Sequence, residues 1–280
     1  MGNGNAIIDQ LQNGLNFWSD KLQEIWTIML QSPESFKGGG VWTVIRGING
    51  ALQATGMALL IIFFLIGVMK TCGSFAEMKR PEVAVKMFVR FICAKAAITY
   101  GMELMLTLFR ITQGIVGTIM DNAGIGGATS PLSVPAEIMQ AVTDMGFFES
   151  IGPWIISLIA CLVIIVISFI LVLNVYGRFF RLYMHVAIAP IPLAAFAGEP
   201  SASIGKAFMK SFAAVCIEGA VIVLACVIFG AFASTPPVVQ ADASPVNMVL
   251  TYSAEVIFNM LVLAATVKMS DRITRDIFGL

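Results

Sequence analysis

The chain has 280 residues, of which 58% are hydrophobic and 12% are charged, and its mean hydropathy is +0.88. This composition excludes an ordinary water-soluble domain and predicts an integral membrane protein. Basic and acidic residues number 17 each, so the formal net charge of zero gives no support for a nucleic-acid binding surface. The distribution of the charges along the chain is more informative than their sum.

Residue types that carry metal or catalytic chemistry form no recognisable pattern. The single histidine, His185, has no partner at metal-ligand spacing, and the cysteines lie in or beside apolar runs without a CxxC pair. The five cysteines are Cys72, Cys93, Cys161, Cys216 and Cys226. A glycine-rich loop at 121–135 lacks the lysine of a phosphate-binding loop, and motifs of zinc proteases, serine hydrolases and kinases are absent from the sequence. We therefore predict no enzyme activity, no metal and no cofactor.

Residues Ile7 to Leu30 predict an amphipathic helix. Apolar side chains recur every three or four residues, and Asp, Asn and Gln take the opposite side. The helix is too polar to span a bilayer, so we expect it to lie in the interface or to pack on a partner. Its polar face is slightly acidic and poor in lysine, which favours protein contact. Breaks at Ser32–Pro33 and at the glycines 38–40 end this first region, residues 1–40, which we place on the outer side.

The remaining region, residues 41–280, contains five apolar segments long enough to cross a hydrocarbon core of about 30 Å. They lie near residues 48–69, 96–120, 154–176, 208–232 and 248–267. We therefore predict an all-α integral membrane protein with about five transmembrane helices in contact with lipid. A further apolar segment, Leu182 to Gly198, is short and contains Pro190 and Pro192, so we predict a re-entrant or shallow bent segment there.

Basic residues alternate with acidic ones from one connection to the next. The first and third connections and the C-terminal tail are basic, whereas 121–150 and 234–246 carry acids only. The basic clusters are Lys70, Lys79, Arg80, Lys86, Arg90 and Lys95; Arg178, Arg181, Lys206 and Lys210; and Lys268, Arg272 and Arg275. The positive-inside rule then predicts an N-terminus outside and a C-terminus inside the cytoplasm.

The second predicted span carries a polar stripe. Polar residues recur at steps of three and four along it, so they share one helix face: Lys95, Thr99, Glu103, Thr107, Arg110 and Gln113. Ionisable residues within a membrane are costly, which makes this stripe the strongest candidate for function. It predicts either the wall of an aqueous conduit, a polar seam between subunits, or a structural seam buried within the monomer.

Other intramembrane polar residues lie on the fourth and fifth spans. Glu218 is near the middle of the fourth, and Glu255 and Asn259 form an i, i+4 pair on the fifth. These residues are candidates for pairing with Lys95 or Arg110. They accompany no nucleophile, so they predict no acid–base catalysis.

The stretch from Arg178 to Leu224 resembles the TrbL/VirB-type family of conjugal-transfer proteins, polytopic inner-membrane components of type IV secretion systems. The resemblance is carried by Arg178 and Arg181 at the end of a span, the Ala189–Ala194 turn with its two prolines, the Gly198–Ser201 hinge, and Lys206, Phe208 and Lys210 at the start of the next helix. It implies a channel subunit that oligomerises around an axis beside other secretion components. A ring of such subunits would gather the acids of the N-terminal arm.

We therefore predict a homo-oligomeric channel or scaffold subunit in the bacterial inner membrane, part of a conjugative type IV secretion system. Translocated DNA or protein is the expected cargo class, with neither preferred. The competing hypothesis is a small-solute secondary transporter with Glu103, Glu218 and Glu255 as coupling sites. A scaffold without a pore is a third.

Overall fold

The computed structural model describes residues 3–72, 81–123, 132–143, 145–146, 148–233 and 244–280. Every regular element within these ranges is helical, which confirms the predicted all-α class. The helices are α1 (Asn3–Leu30), α2 (Gly40–Cys72), α3 (Pro81–Thr99), α4 (Gly101–Ala123), α5 (Ala136–Thr143), α6 (Ile151–Ile188), α7 (Pro190–Ala194), α8 (Ala202–Ala233) and α9 (Pro245–Phe278), with 3-10 turns at Phe36–Gly39 and Ala195–Ala197. Lys79, Arg80, Asp144, Asp242 and most of the glycine-rich loop lie outside the described residues.

Four segments in the described ranges are long and apolar enough to cross a membrane. They are Phe36–Lys70, Ile151–Ile188, Ala202–Phe232 and Pro245–Phe278, and they contain four of the five predicted spans. The prediction of one unbroken helix over 96–120 is wrong, because the chain bends at Tyr100 between α3 and α4. Just after the bend, Gly101 lies close to α7, since a Cβ atom there would lie 2.7 Å from Cδ1 of Leu193.

The chain forms two compact units, and the first comprises Met1–Leu30, Val116–Tyr176 and Ala220–Ser270. The apolar side of α1 lies in its core, with Trp18 fully buried and packed edge-on against Phe229 at 6.2 Å between ring centroids. Ile138 and Val142 of α5 are also buried. The amphipathic periodicity of residues 7–30 thus predicted the buried face of α1, and within the chain that face packs against the helices of its own unit.

The second unit comprises Gln31–Ile115, Gly177–Gly219 and Asp271–Leu280. Here α2 packs closely on α7 and the turn after it. A Cβ atom on Gly56 would lie 2.7 Å from the carbonyl oxygen of Pro190, and one on Gly198 would collide with the carbonyl oxygen of Phe63. The Asn49 side chain, 2% exposed, donates to the carbonyl oxygen of Val186 at 2.7 Å. Glycine at these positions allows backbone-to-backbone approach.

The proline-containing segment is more helical than we predicted. Leu182 to Ile188 form the end of α6, Ala189 keeps helical φ and ψ angles of −48° and −40°, and the chain leaves the helical conformation only at Gly198 (φ −103°, ψ 142°). Pro190 and Pro192 are tolerated because they occupy the start of α7, where backbone N–H groups need no helical acceptor. The placement of this proline-containing segment as re-entrant in a membrane stays a prediction.

Candidate functional site: a polar stripe and a buried charge cluster

The stripe on α3 and α4 faces outward from the second unit. Its described side chains are exposed, except for the half-buried Gln113: Lys95, Thr99, Glu103, Thr107 and Arg110. The opposite face of the same helices is apolar and buried, with Ile98, Met105 and Phe109 each at most 2% exposed. A seam buried within the monomer would require the reverse arrangement. The exposed polar face leaves a conduit wall or a subunit seam as the two interpretations of this stripe.

The charged members dominate the chemistry of the stripe. The Thr99 and Thr107 hydroxyls donate within their own helix, to the carbonyl oxygens of Lys95 and Glu103 at 3.1 and 2.8 Å. Arg110 lies 3.3 Å from a carboxylate oxygen of Glu34, in an ion pair whose side chains are 63% and 35% exposed. Exposed pairs of this kind contribute only about 0–1 kcal/mol, so this pair holds the fold weakly.

A second charged group lies inside the same unit and joins three helices. Arg181 of α6 contacts Glu218 of α8 and Asp271 of α9, each at 2.5 Å, and Asp271 also accepts from Arg275 at 3.1 Å. The Glu218 side chain is 3% exposed. We define Arg178, Arg181, Glu218, Asp271 and Arg275 as the charge cluster. The expected pairing of Glu218 with Lys95 or Arg110 is wrong, because Arg181 on the adjacent α6 occupies that role.

Arg178 is a deeply buried member of the charge cluster, at 2% exposure. Its Nε and Nη2 atoms donate to the backbone carbonyl oxygens of Val215 and Cys216 at 3.1 and 3.0 Å. The guanidinium carbon also lies 5.5 and 5.6 Å from the ring centroids of Phe109 and Phe179. Hydrogen bonds and aromatic faces together compensate for removing this cation from water.

Gly219 provides the space for the Arg178 guanidinium. A Cβ atom on this glycine would lie 2.5–2.6 Å from three guanidinium atoms. We used Arg178 and Arg181 as evidence for membrane topology and for the family resemblance, and we did not predict the cluster. Two sequence features could have indicated the cluster. Both arginines lie three residues apart on the helix that continues an apolar span, and Glu218, a carboxylate, lies within another span.

The other predicted polar residues remain separate from the charge cluster. Glu255 and Asn259 are half-buried on the part of α9 that belongs to the first unit. Pro190 is buried and Pro192 half-buried in the second unit. Nε2 of His185 lies 3.1 Å from the Ser211 hydroxyl, and the imidazole ring packs near two aromatic rings of α8. We assign His185 a packing role. No group of three metal-ligating side chains occurs in the described part of the chain.

These features define an all-α membrane protein that carries charged side chains both on an exposed helix face and within a helical core. A family model described as TrbL/VirB6 plasmid conjugal transfer like protein matches residues 19–190, which is more than half of the chain. The chain belongs to this family. No match was found among curated proteins or among solved structures.

Family membership confirms the resemblance inferred from the sequence, although the matched range covers only the first part of the stretch that carried it, Arg178 to Pro190. The family indicates a conjugal-transfer component of a type IV secretion system. The role of the family in transfer is structural.

Proposed function

We propose that the chain is a translocation-channel or scaffold subunit of a conjugative type IV secretion system, and that it assembles as a homo-oligomer in the bacterial inner membrane. In this proposal it crosses the membrane several times with its N-terminus outside and its C-terminus inside, contacts other secretion components, and hydrolyses nothing itself. Cargo is DNA or protein. Family membership supports the transfer role, and the exposed polar stripe supports the assembly.

The single observation that supports the proposed assembly is the pattern of exposed side chains around the stripe. Lys95, Glu103 and Arg110 are exposed beside large exposed apolar side chains, Leu104 at 55% and Ile111 at 60%. A charged side chain at the centre of a membrane helix costs about 2.5–3.5 kcal/mol on insertion scales. α3 and α4 are not among the four candidate spans, but three charges on one exposed face disfavour contact with lipid wherever these helices meet the membrane, so we infer that the stripe faces water or a second copy.

Transfer measurements test this assignment. We expect Glu103→Leu or Arg110→Leu to lower the frequency of DNA transfer by on the order of tenfold or more, because a contact repeated in every copy of a ring is lost each time. Both variants should still insert into the membrane and accumulate to normal levels. Ile111→Leu is the matched control, since it changes an exposed apolar neighbour and should leave transfer unchanged. Normal transfer in both charge variants would remove the stripe from the proposal.

The transporter alternative has less support. Coupling carboxylates of a transporter converge near one binding site. Glu103 is instead exposed on the stripe, and Glu218 is paired with Arg181 within the charge cluster. The mass of the purified assembly separates the two functions, because a ring of identical chains supports the channel or scaffold and a monomer supports the transporter.

A further inference from the structure

In the first unit, α1 lies alongside α6 from Gln10 to Glu24. Four contacts join the two helices, and residue numbers rise together in both, so the helices run parallel. Ser157 Oγ donates to Gln10 at 2.6 Å, a Cβ atom on Gly14 would lie 3.5 Å from Cys161 Sγ, the rings of Phe17 and Phe169 are 5.4 Å apart, and the Tyr176 hydroxyl donates to Glu24 at 3.3 Å.

This part of α6 is the most apolar of the candidate spans. No Asp, Glu, Lys or Arg occurs from Ile151 to Gly177, and one side of the helix exposes large apolar side chains, among them Leu162 at 62% and Leu173 at 67%. At 1.5 Å per residue, the distance along α6 from Ser157 to Tyr176 is about 28 Å, close to the thickness of a hydrocarbon core. The contacts therefore place α1 at bilayer depth.

The outward face of α1 is polar throughout. Seven side chains at three- and four-residue spacing are exposed: Asn5, Asp9, Asn13, Asn16, Asp20, Gln23 and Thr27. Asn16 and Thr27 have hydrogen-bond partners within α1, but Asp9 and Asp20 are carboxylates, and charged groups are costly in hydrocarbon, so this face does not suit contact with lipid. The buried face of the helix, by contrast, is fully occupied by its own unit.

We propose that α1 is a membrane-embedded helix and that its polar face lines a water-filled path formed by copies of this chain. The inference rests on the proposed homo-oligomer and adds which helix faces the water. It replaces our expectation that residues 1–40 lie on the outer side and, because α1 runs parallel to α6, it also reverses the direction of crossing that we expected for α2.

The charges of α1 favour water over a dry contact between copies. Asp9 and Asp20 are exposed, and the only basic residue of α1, Lys21, lies 2.7 Å from Glu24 of the same helix. Symmetry would repeat the same carboxylates around an axis, and like charges repel strongly where the dielectric constant is low. Water between the copies screens that repulsion. The path would therefore be acidic and hydrated.

Cross-linking tests the position of α1. In a chain whose other four native cysteines are serine, Gly14→Cys faces native Cys161 and should form a disulfide on mild oxidation in native membranes, because the Cβ position lies in ordinary contact with Cys161. Asn13→Cys, one position away on the exposed face, should form none. A second pair, Gln10→Cys with Ser157→Cys in a cysteine-free chain, repeats the measurement one turn earlier. Failure of both pairs to cross-link would overturn the packing of α1 on α6.

The accessibility of introduced thiols to a charged reagent tests whether the polar face of α1 is hydrated. In cysteine-free chains carrying Asn13→Cys or Leu162→Cys, a charged methanethiosulfonate should modify the first on the order of a hundredfold faster, since hydrocarbon excludes the charged reagent. Equal and fast reaction would show that this stretch of α6 is not in the bilayer. Cross-linking without modification of Asn13→Cys would show a dry α1 and overturn the water path. Neither result touches the Glu103 and Arg110 transfer experiment, so the proposed function stands or falls separately.

Discussion

Gly219 is the position at which the smallest substitution should have a large effect on stability. In Gly219→Ala the new methyl group would lie 2.5–2.6 Å from the Arg178 guanidinium, well inside van der Waals contact. Arg178 is 2% exposed, so the guanidinium has no solvent into which to move. We expect it to lose at least one of its hydrogen bonds to Val215 and Cys216.

The expected loss follows from those interactions. A hydrogen bond from a charged donor contributes about 1.5–3 kcal/mol, and a displaced cation–π contact about 0.5–2 kcal/mol more. We therefore expect Gly219→Ala to lower the free energy of unfolding by about 3 kcal/mol. For a chain of this size that corresponds to a fall in the melting temperature of about 6–12 °C.

Thermal unfolding of the purified protein in one detergent, followed by loss of the monodisperse elution peak, measures the effect. The matched control is Gly177→Ala, also within a long helix, where a Cβ atom meets nothing within 4 Å. That variant should gain about 0.5–1 kcal/mol from helix propensity. We expect Gly177→Ala to melt at or above the wild-type temperature. If Gly219→Ala does the same, the close contact between Arg178 and Gly219 is refuted.

Four further substitutions test other contacts of the second unit by the same assay. Arg181→Leu should cost about 3–5 kcal/mol because it removes the ion pair of the buried Glu218, and Glu218→Leu should cost less because Arg181 keeps its contact with Asp271. The double variant should be less destabilised than the sum of the two, and strict additivity would contradict the pairing of Arg181 with Glu218. Asn49→Ala should cost about 1–3 kcal/mol, since it leaves a buried carbonyl of α6 without its donor. Gly101→Ala should cost about 1–3 kcal/mol by overpacking against Leu193, and unchanged melting would contradict the close contact between Gly101 and Leu193.

The elements that depend on local patterning were predictable. Four apolar stretches and the amphipathic periodicity of residues 7–30 are properties of contiguous sequence, so the all-α class, the matching helices and the buried face of α1 followed directly. The break before α2 was predictable for the same reason, because glycines 38 and 39 adopt positive φ angles. The polar stripe could be predicted as a helix face, but not whether that face pointed inward or outward.

The partners of the buried charges depended on the tertiary structure. Arg181 and Glu218 are 37 residues apart, and nothing in their spacing favours their pairing over Glu218 with Lys95 or Arg110. The close contact of Arg178 with Gly219 likewise depends on how closely one helix approaches another. Sequence alone therefore determined that this chain is helical, membrane-embedded and polar on selected faces, because apolar periodicity acts within a helix. Only the tertiary structure decided which charges meet, because such contacts depend on the distances and rotations between helices.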